Sequence, residues 1–364
     1  MQVPPSSRPF KVAFLGGGTG GHLAPGVGVA EELRRRGHES LFLIAGRPVE
    51  HALLEPRHLS SVELFGDRTR PSPFDVGSWF SASRRWRRTV REYDPDAIVV
   101  LGGWVALPAV LSGFYGRPSV LLEQNARAGK VQRLLGQRVE HACLAVDGED
   151  MPRGRRSTHV TGNPAPDRPP RTRAQAAAAF GLDAARRTLL LMGGSQGAGD
   201  LNALLPALTA ELAASGQAWQ VLNITGGQPA PPAARDGERA DLPVVRRQFV
   251  ADMAAAWAIT DVAVCRSGAG TIAELACTGT PSVLVPYPHH ADHHQEANGR
   301  QLVEAGGALM VGRDDATGAR TAAALLRRAL ARLPQMSAAA LSVARPRAAS
   351  DVADVVVEAA ENRP

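Results

Sequence analysis

Glycine-rich loops that directly follow apolar runs are the part of this sequence best suited to chemistry. Three of them stand out, at Gly16–His22, Gly193–Gly199 and Ser267–Thr271. Glycines let a backbone lie close to a phosphate, and the N–H groups at the start of a following helix favour its negative charge. We therefore expect this chain to bind a phosphorylated ligand such as a nucleotide.

The stretch Ser267–Asn298 joins the third loop to a predicted helix, a strand and a polar loop. Glu274 falls one turn into the predicted helix, where its carboxylate could accept hydrogen bonds from ribose hydroxyls. Val283–Pro286 predicts a buried strand ended by proline. The polar loop His289–Asn298 then lies at the carboxyl end of that strand, where ligands of open α/β sheets bind.

Four histidines in this polar loop raise the alternative of a metal site. They are His289, His290, His293 and His294. Two pairs among them have the i, i+4 spacing that chelates zinc on a helix. However, Pro286 and Pro288 predict an irregular start to the segment, and Asp292 is the only carboxylate that could join the set. We predict that the chain binds no metal.

The first loop also matches the G-x-G-x-x-G pattern of dinucleotide-binding proteins, through Gly16, Gly18 and Gly21. That pattern alone is weak evidence. A nicotinamide site also needs an acidic residue at the end of the second strand, and Gly46-Arg47 stands there. At best a 2′-phosphate would fit, so the dinucleotide interpretation is the minor one.

Apolar runs and amphipathic segments alternate along the chain, which predicts two doubly wound α/β domains. In the N-terminal half, the predicted strands are Lys11–Leu15, Leu41–Ala45, Ala97–Leu101 and Ser119–Leu122. In the C-terminal half, they are Thr188–Met192, Gln220–Ile224, Asp261–Cys265 and Val283–Pro286. The predicted helices of that half are Ala174–Phe180, Leu201–Leu212, one beginning at Phe249, Thr321–Leu333 and Ser350–Ala360.

Proline density after Gly162 marks the expected linker between the domains. We predict an N-terminal domain over residues 1–163 and a C-terminal domain over residues 164–345. The last segment, 346–364, is predicted to be a helix that packs back on the N-terminal domain. Two such domains would face each other across a cleft and hold a donor and an acceptor separately.

Composition limits the class of protein. The chain has 364 residues, 44% of them hydrophobic and 21% charged, as is usual for soluble globular proteins. A formal charge of +6 suits an anionic ligand or membrane, and no nucleic-acid-binding motif accompanies it. The three cysteines lack C-x-x-C spacing, which disfavours disulfides and zinc. The polar Met1–Pro9 segment does not resemble a signal peptide.

Two segments bear on membranes. Ala97–Gly116 carries no charge, yet its glycines and Pro108 predict a strand, a turn and a helix rather than a membrane span. Phe74–Tyr93 predicts an amphipathic helix with Trp79 and Trp86 on one side and several arginines on the other. Such a helix either lies on an anionic membrane surface or packs its tryptophans into the core, and the sequence leaves both open.

Six short motifs, in their order and spacing, resemble the MurG family of bacterial N-acetylglucosaminyltransferases over nearly the whole chain. They are G-G-G-T-G-G-H (16–22), G-G-W (102–104), E-Q-N-A-R-A-G (123–129), T-G-N-P (161–164), G-G-S-Q-G-A (193–198) and the stretch 267–298. The resemblance implies a GT-B fold and an inverting transfer without metal or other cofactor. The sugar would pass from UDP-N-acetylglucosamine to the C4 hydroxyl of the muramoyl sugar of lipid I, giving lipid II and UDP.

The resemblance also assigns candidate residues. Those facing the acceptor and the reacting centre would be Thr19, Gly20, Gly21, His22 and Asn125. Those contacting the donor would be Ser195, Gln196, Gly268, Gly270, Thr271, Glu274, His294, Gln295 and Asn298. An imidazole with an ordinary pKa near 6.5 suits a base, so His22 is the candidate base. The alternative is a His22 that only hydrogen-bonds the acceptor.

Partners and location follow from the same resemblance. We expect a peripheral protein on the cytoplasmic face of the cell membrane, attached through the 74–93 helix, with other cell-wall synthesis proteins as candidate partners. One departure from the family pattern is the residue after G-N-P, where an arginine is usual and Ala165 stands here. Arg168 comes late, and Arg266 is a candidate substitute. One alternative is another GT-B enzyme with a UDP-sugar donor, either a lipid glycosyltransferase or a UDP-sugar epimerase. A second is a UDP-sugar-binding protein that has lost catalysis.

Overall fold

The structure is a computed structural model that describes residues 8–18, 20–65, 71–72, 75–165, 171–193, 199–226, 241–288, 293–312 and 318–363. The chain divides into two compact units. One comprises Met1–Asp167 together with Arg345–Pro364, and the other comprises Arg168–Ala344. Each unit is built around its own parallel sheet.

The first unit alternates strands and helices from its start. Its strands are β1 (Lys11–Gly16), β2 (Glu39–Ile44), β3 (Ser60–Glu63), β4 (Ala97–Gly102), β5 (Ser119–Glu123), β6 (His141–Leu144) and β7 (Ser157–Val160). Its helices, before the chain enters the second unit, are α1 (Gly20–Arg35), α2 (Pro48–Leu54), α3 (Val76–Tyr93), α4 (Leu107–Ser112) and α5 (Lys130–Gly136). Short 3-10 turns occupy Glu55–Arg57 and Trp104–Ala106.

The sheet of the first unit has the strand order β3-β2-β1-β4-β5-β6-β7, and every pair is parallel. Leu15 in β1 lies opposite Leu43 in β2 and Val100 in β4. Because helices cover both faces of a parallel sheet, its central strands are apolar along their whole length. That is why β4 is fully buried.

The second unit repeats this architecture. Its strands are β8 (Arg187–Met192), β9 (Trp219–Ile224), β10 (Val244–Arg247), β11 (Val262–Cys265), β12 (Ser282–Leu284) and β13 (Ala308–Met310). Its helices are α6 (Arg173–Phe180), α7 (Gly199–Asn202), α8 (Leu205–Ala214), α9 (Met253–Ile259), α10 (Ala269–Thr278), α11 (His294–Ala305), α12 (Ala319–Leu330) and α13 (Leu333–Ser342). The parallel strands run in the order β10-β9-β8-β11-β12-β13.

The last helix, α14 (Ala348–Glu361), returns to the first unit. Its apolar face, including Val352 and Val356, belongs to the same core cluster as Val27 of α1. Polar contacts add to this packing: Arg36 donates to Asp354 at 2.6 Å, and Arg363, just after the helix, donates to the buried Asp96 at 3.0 Å.

The predicted doubly wound α/β class is confirmed, and several predicted boundaries are wrong. The expected helix Leu201–Leu212 is two helices, because Pro206 lacks an N–H and stands in the first turn of a new helix, α8. Pro334 starts α13 in the same way, so the expected helix ending at Leu333 stops at Leu330. The helix expected from Phe249 begins at Met253, with the Asp252 carboxylate capping Ala255 N–H.

The uncharged stretch Ala97–Gly116 is a strand, a 3-10 turn and the short helix α4, as predicted. Within the described ranges, every helix is too short or too polar to span a bilayer.

Candidate active site

The first glycine loop links β1 to α1 and lies against the end of β4. Gly16, Gly17 and Gly18 all have positive φ angles, of 144°, 147° and 84°. A Cβ on Gly16 would come within 2.7 Å of the Gly102 carbonyl oxygen. Only glycine lets the two strand ends approach this closely.

Part of the predicted acceptor-facing set lies in the first turn of α1. Gly20, Gly21 and His22 occupy its first three positions, where backbone N–H groups have no partner within the helix. The His22 ring lies beside Gly103, since a Cβ on that glycine would be 3.9 Å from His22 Cδ2 and 2.7 Å from the Gly17 carbonyl oxygen. Thr19 lies outside the described residues.

Asn125 follows β5, and β5 is the neighbour of β4 in the sheet. Its backbone N–H and its side-chain Nδ2 both donate to Glu123 Oε1, at 2.9 and 3.3 Å. Sheet order therefore places the loop after β1, Gly103 and Asn125 along one edge, at the carboxyl ends of three adjacent strands.

Glu123 begins the E-Q-N-A-R-A-G motif, but the sequence interpretation gave its side chain no role of its own. Its side chain is fully buried, and Oε2 has no hydrogen-bond partner. Burial raises the pKa of this carboxyl from 4.5 to about 7, against the lowering effect of the two bonds from Asn125. Its place at the end of a predicted buried strand was the sequence signal for this burial.

The second unit presents the start of α10 at the carboxyl end of β11. Gly268 is the residue before the first turn, Gly270 is exposed and Thr271 is half-buried. A Cβ on Gly270 would meet no atom within 4 Å. A helix N-terminus of this kind, bordered by small residues, has the geometry for an anion. Ser195 and Gln196 lie outside the described residues.

Glu274 lies in the second turn of α10, and its Oε2 accepts a hydrogen bond of 3.0 Å from Trp257 Nε1. Trp257 is a buried residue of α9. The sequence interpretation named Glu274 and missed its partner, because an apolar pattern around Trp257 indicates only a buried helix.

The segment expected to be a polar loop ending at Asn298 is partly a helix, which corrects the interpretation. His294 is the first residue of α11, and Gln295 and Asn298 follow in its first two turns. Gln295 Oε1 accepts from Tyr287 N–H at 2.9 Å, and buried Asn298 donates to the Ser267 carbonyl oxygen at 3.4 Å. These bonds tie the start of α11 to the ends of β11 and β12.

Arg266 has a structural position. Its side chain is 6% exposed. Nη1 donates to the carbonyl oxygens of Val285 and Pro286 at 3.0 and 3.1 Å, and Nη2 donates to Asp200 at the start of α7. The guanidinium therefore joins three loops around the sheet edge instead of standing free for a diphosphate. Arg168 lies outside the described residues.

The histidine pairs that raised the metal alternative are only partly described, since 289–292 fall outside the described residues. Among the residues that are described, no three His, Cys, Asp or Glu side chains come together as a metal site.

Comparisons with known proteins identify the family of the chain. The sequence matches the model of the glycosyltransferase family 28 N-terminal domain over residues 12–143, and that of the glycosyltransferase family 28 C-terminal domain over residues 188–355. A protein of Pseudomonas entomophila is 36% identical over 362 residues, which cover 96% of this chain and 98% of that protein. One from Anaeromyxobacter dehalogenans is 35% identical, covering 97% and 94%. Both are named UDP-N-acetylglucosamine--N-acetylmuramyl-(pentapeptide) pyrophosphoryl-undecaprenol N-acetylglucosamine transferase.

Solved structures resemble the chain as well. The crystal structure of Acinetobacter baumannii MurG has a TM-score of 0.74 and 26% identity, covering 96% of this chain and all of that one. A UDP-GlcNAc 2-epimerase from Neisseria meningitidis has a TM-score of 0.64 at 13% identity, covering 96% of this chain and 99% of that one. The second likeness concerns the fold alone.

Proposed function

The chain belongs to glycosyltransferase family 28, within it to the MurG group, and from this membership we propose that it converts lipid I to lipid II. It is a glycosyltransferase of the GT-B fold class. The transferred group is N-acetylglucosamine, the donor is UDP-N-acetylglucosamine, and the acceptor is the C4 hydroxyl of the muramoyl sugar. The observation that carries the proposal is 36% identity over 96% of the chain to a relative with that transferase name.

We place the donor on the second unit. The N-terminus of α10 supplies backbone N–H groups to the diphosphate, which gains negative charge as the sugar leaves. Glu274 accepts from the ribose hydroxyls, and His294 and Gln295 bind hydroxyls of the sugar. Ser195 and Gln196, together with Gly268, Gly270 and Thr271, contribute further donor contacts.

We place the acceptor on the first unit, at the edge that carries His22 and Asn125. His22 removes the proton from the attacking C4 hydroxyl as that oxygen bonds to the anomeric carbon. UDP departs from the opposite face, so the anomeric configuration inverts. Asn125 and Thr19 orient the acceptor, and no cofactor takes part.

Attachment to an anionic membrane is proposed through α3, but not through both tryptophans. Trp86 is fully buried, and Trp79 packs edge-on against Phe65, with ring centroids 5.4 Å apart. The tryptophan pair therefore belongs to the core side. The exposed apolar residues of the helix are Val76 and Phe80, at 73% and 63% exposure.

Cations surround these two residues. The Arg84 guanidinium lies 5.9 Å from the centre of the Phe80 ring, and the exposed face continues through Arg87, Arg88 and Arg91. Apolar side chains flanked by arginines suit the boundary between acyl chains and anionic headgroups. We propose that the enzyme works as a peripheral protein on the cytoplasmic face of the membrane, where other cell-wall synthesis proteins are candidate partners.

The test is transfer of labelled N-acetylglucosamine from its UDP donor to lipid I, with analysis of the lipid product. Formation of lipid II supports the proposal. Epimerised UDP-sugar without transfer would identify an epimerase, and UDP binding without any turnover would identify a protein that has lost catalysis.

In the same assay, His22→Ala should lower kcat by about 10²–10⁴-fold while UDP binding persists, because general-base catalysis contributes about that much. Near-normal turnover of this variant would rule out the base role and leave His22 as an acceptor contact.

A further inference from the structure

Both polar groups of the Gly18 backbone are bound by residues at the start of α2. Glu50 Oε1 accepts from Gly18 N–H at 2.7 Å, and Arg47 Nη1 donates to the Gly18 carbonyl oxygen at 2.7 Å. Gly18 lies two residues before α1, the helix that carries His22 in its first turn. Restraining the N–H and the C=O of one residue restricts rotation on both sides of its Cα.

Glu50 is suited to hold a backbone in place. Its side chain is fully buried, and its other oxygen, Oε2, accepts from the N–H groups of Gly46 and Arg47 at 2.9 and 2.7 Å. A buried carboxylate is stable only when donors surround it. Here backbone N–H groups provide them, so the carboxylate joins the loop after β2 to the loop after β1.

The other side of the glycine loop is closed by an aromatic ring. A Cβ on Gly18 would lie 2.6 Å from Trp104 Nε1, and one on Gly17 would lie 2.2 Å from Glu50 Oε1. The Arg47 guanidinium is 6.0 Å from the centre of the Trp104 ring, within cation–π range. Gly17 and Gly18 therefore occupy a slot between Glu50, Arg47 and Trp104 that leaves no room for a side chain at either position.

We propose that Glu50 and Arg47 are positioning residues for the transfer reaction, which hold the first glycine loop and thereby aim His22. The proposal rests on the proposed function. Neither side chain needs to touch a substrate. The effect is geometric, since displacing a reacting group by about 1 Å can cost about 10²-fold in rate.

The decisive variants are Glu50→Gln and Arg47→Met. Gln offers one acceptor oxygen and turns an NH₂ group toward backbone N–H donors, whereas Met keeps the length of the arginine stem without its donors. We expect kcat to fall about 10–100-fold in both. The KM for UDP-N-acetylglucosamine and the Kd for UDP should change less than about threefold, because the donor contacts lie in the other unit.

Glu32→Gln is the matched control. Glu32 is also a buried glutamate of the first unit, but it bonds Arg36 at 2.7 Å near the opposite end of α1 from the glycine loop. It should lose some stability and keep its kcat. Thermal melting of all three variants separates loss of fold from loss of rate.

If Glu50→Gln does not fold, Arg47→Met decides the question, because Arg47 is only half-buried. Unchanged kcat in a folded Arg47→Met variant overturns the positioning role, as does an equal fall of kcat in Glu32→Gln. A wild-type enzyme that transfers no sugar to lipid I would instead overturn the proposed function, so the two failures are distinguishable.

Discussion

The indole N–H of Trp257 donates a 3.0 Å hydrogen bond to Glu274 Oε2. This bond runs from α9 to α10, and it restrains the carboxylate that is proposed to bind ribose. Because Trp257 is buried and Glu274 is half-buried, the tryptophan holds the carboxylate without occupying the ligand side. Removing the donor would take away one restraint on the carboxylate.

Trp257→Phe should therefore weaken donor binding. We expect the KM for UDP-N-acetylglucosamine to rise about fivefold, which corresponds to about 1 kcal/mol for one lost hydrogen bond. The control is Trp219→Phe, since Trp219, the first residue of β9, is also buried and its Nε1 donates a 3.0 Å bond to Ser215, the residue after α8. Steady-state kinetics with varied donor would contradict the prediction if both variants gave the same KM.

Two glycines of the first unit, Gly103 and Gly113, have the same backbone conformation, but only Gly103 lies close to the first glycine loop. Comparing substitutions at both positions therefore tests whether the close contact between the end of β4 and that loop matters. Gly103 has φ 72° and ψ 175°, and Gly113 has φ 75° and ψ −173°. This region is almost exclusive to glycine, and a side chain there costs about 1–3 kcal/mol. The surroundings differ, because a Cβ on Gly103 meets the Gly17 carbonyl oxygen at 2.7 Å and one on Gly113 meets nothing within 4 Å.

Gly113→Ala should show only the backbone strain, with about 1–3 kcal/mol lost from the free energy of unfolding and kcat maintained. Gly103→Ala should lose more stability and also lower kcat, because the displaced glycine loop carries His22 with it. Urea unfolding and turnover of both variants provide the measurement. Equal losses in the two would show that the close contact is unimportant.

The buried carboxyl of Glu123 makes stability depend on pH. Burial raises its pKa to about 7 in the folded state, from 4.5. Between these values the folded chain holds a proton that the unfolded chain has released, so stability falls as pH rises. The full difference, reached above pH 7, is about 3 kcal/mol.

Glu123→Gln removes the titrating group and keeps an oxygen for Asn125. The free energy of unfolding of the variant relative to wild type should therefore increase between pH 5 and pH 8. Denaturant unfolding at both pH values tests it, and the comparison cancels contributions from the other titrating groups. A constant difference between the two proteins would mean that Glu123 does not titrate in this range.

The exposed end of α3 should govern membrane attachment. Replacing Val76 and Phe80 by serine should reduce co-sedimentation with anionic vesicles about tenfold or more, since burying a phenylalanine side chain contributes about 1.5–3 kcal/mol. Phe249→Ser is the matched control, because Phe249 is 66% exposed in the second unit. Binding that is unaffected by the double change, or equally affected by the control, would count against this face of α3.

The sequence by itself determined the alternation of strands and helices and the position of the glycine loops. Both are local properties. An apolar run such as Ala97–Leu101 cannot be solvated on either side, and a following pair of glycines must turn. The order and spacing of the motifs also determined the family. A motif is recognised from the residue types that follow a strand, and this recognition does not depend on how the strand ends pack in the fold.

The hydrophobic pattern of the sequence did not predict the short polar strands. β3 and β10 are four residues each, at sheet edges, and β10 ends in two arginines. Their extended form depends on pairing with β2 and β9 rather than on their own residues. The start of α11 was also missed, because Pro286 and Pro288 just before it predict an irregular loop.

Only the tertiary structure decided which side of α3 faces the core. The sequence left open whether the side with Trp79 and Trp86 meets the core or a membrane. In the structure Trp86 is fully buried, whereas Phe80 is mostly exposed. It also decided that Arg266 joins loops and that Glu50 holds Gly18, 32 residues away. Periodicity measures which residues are alike along a helix, whereas burial and hydrogen bonding depend on what the fold places opposite them.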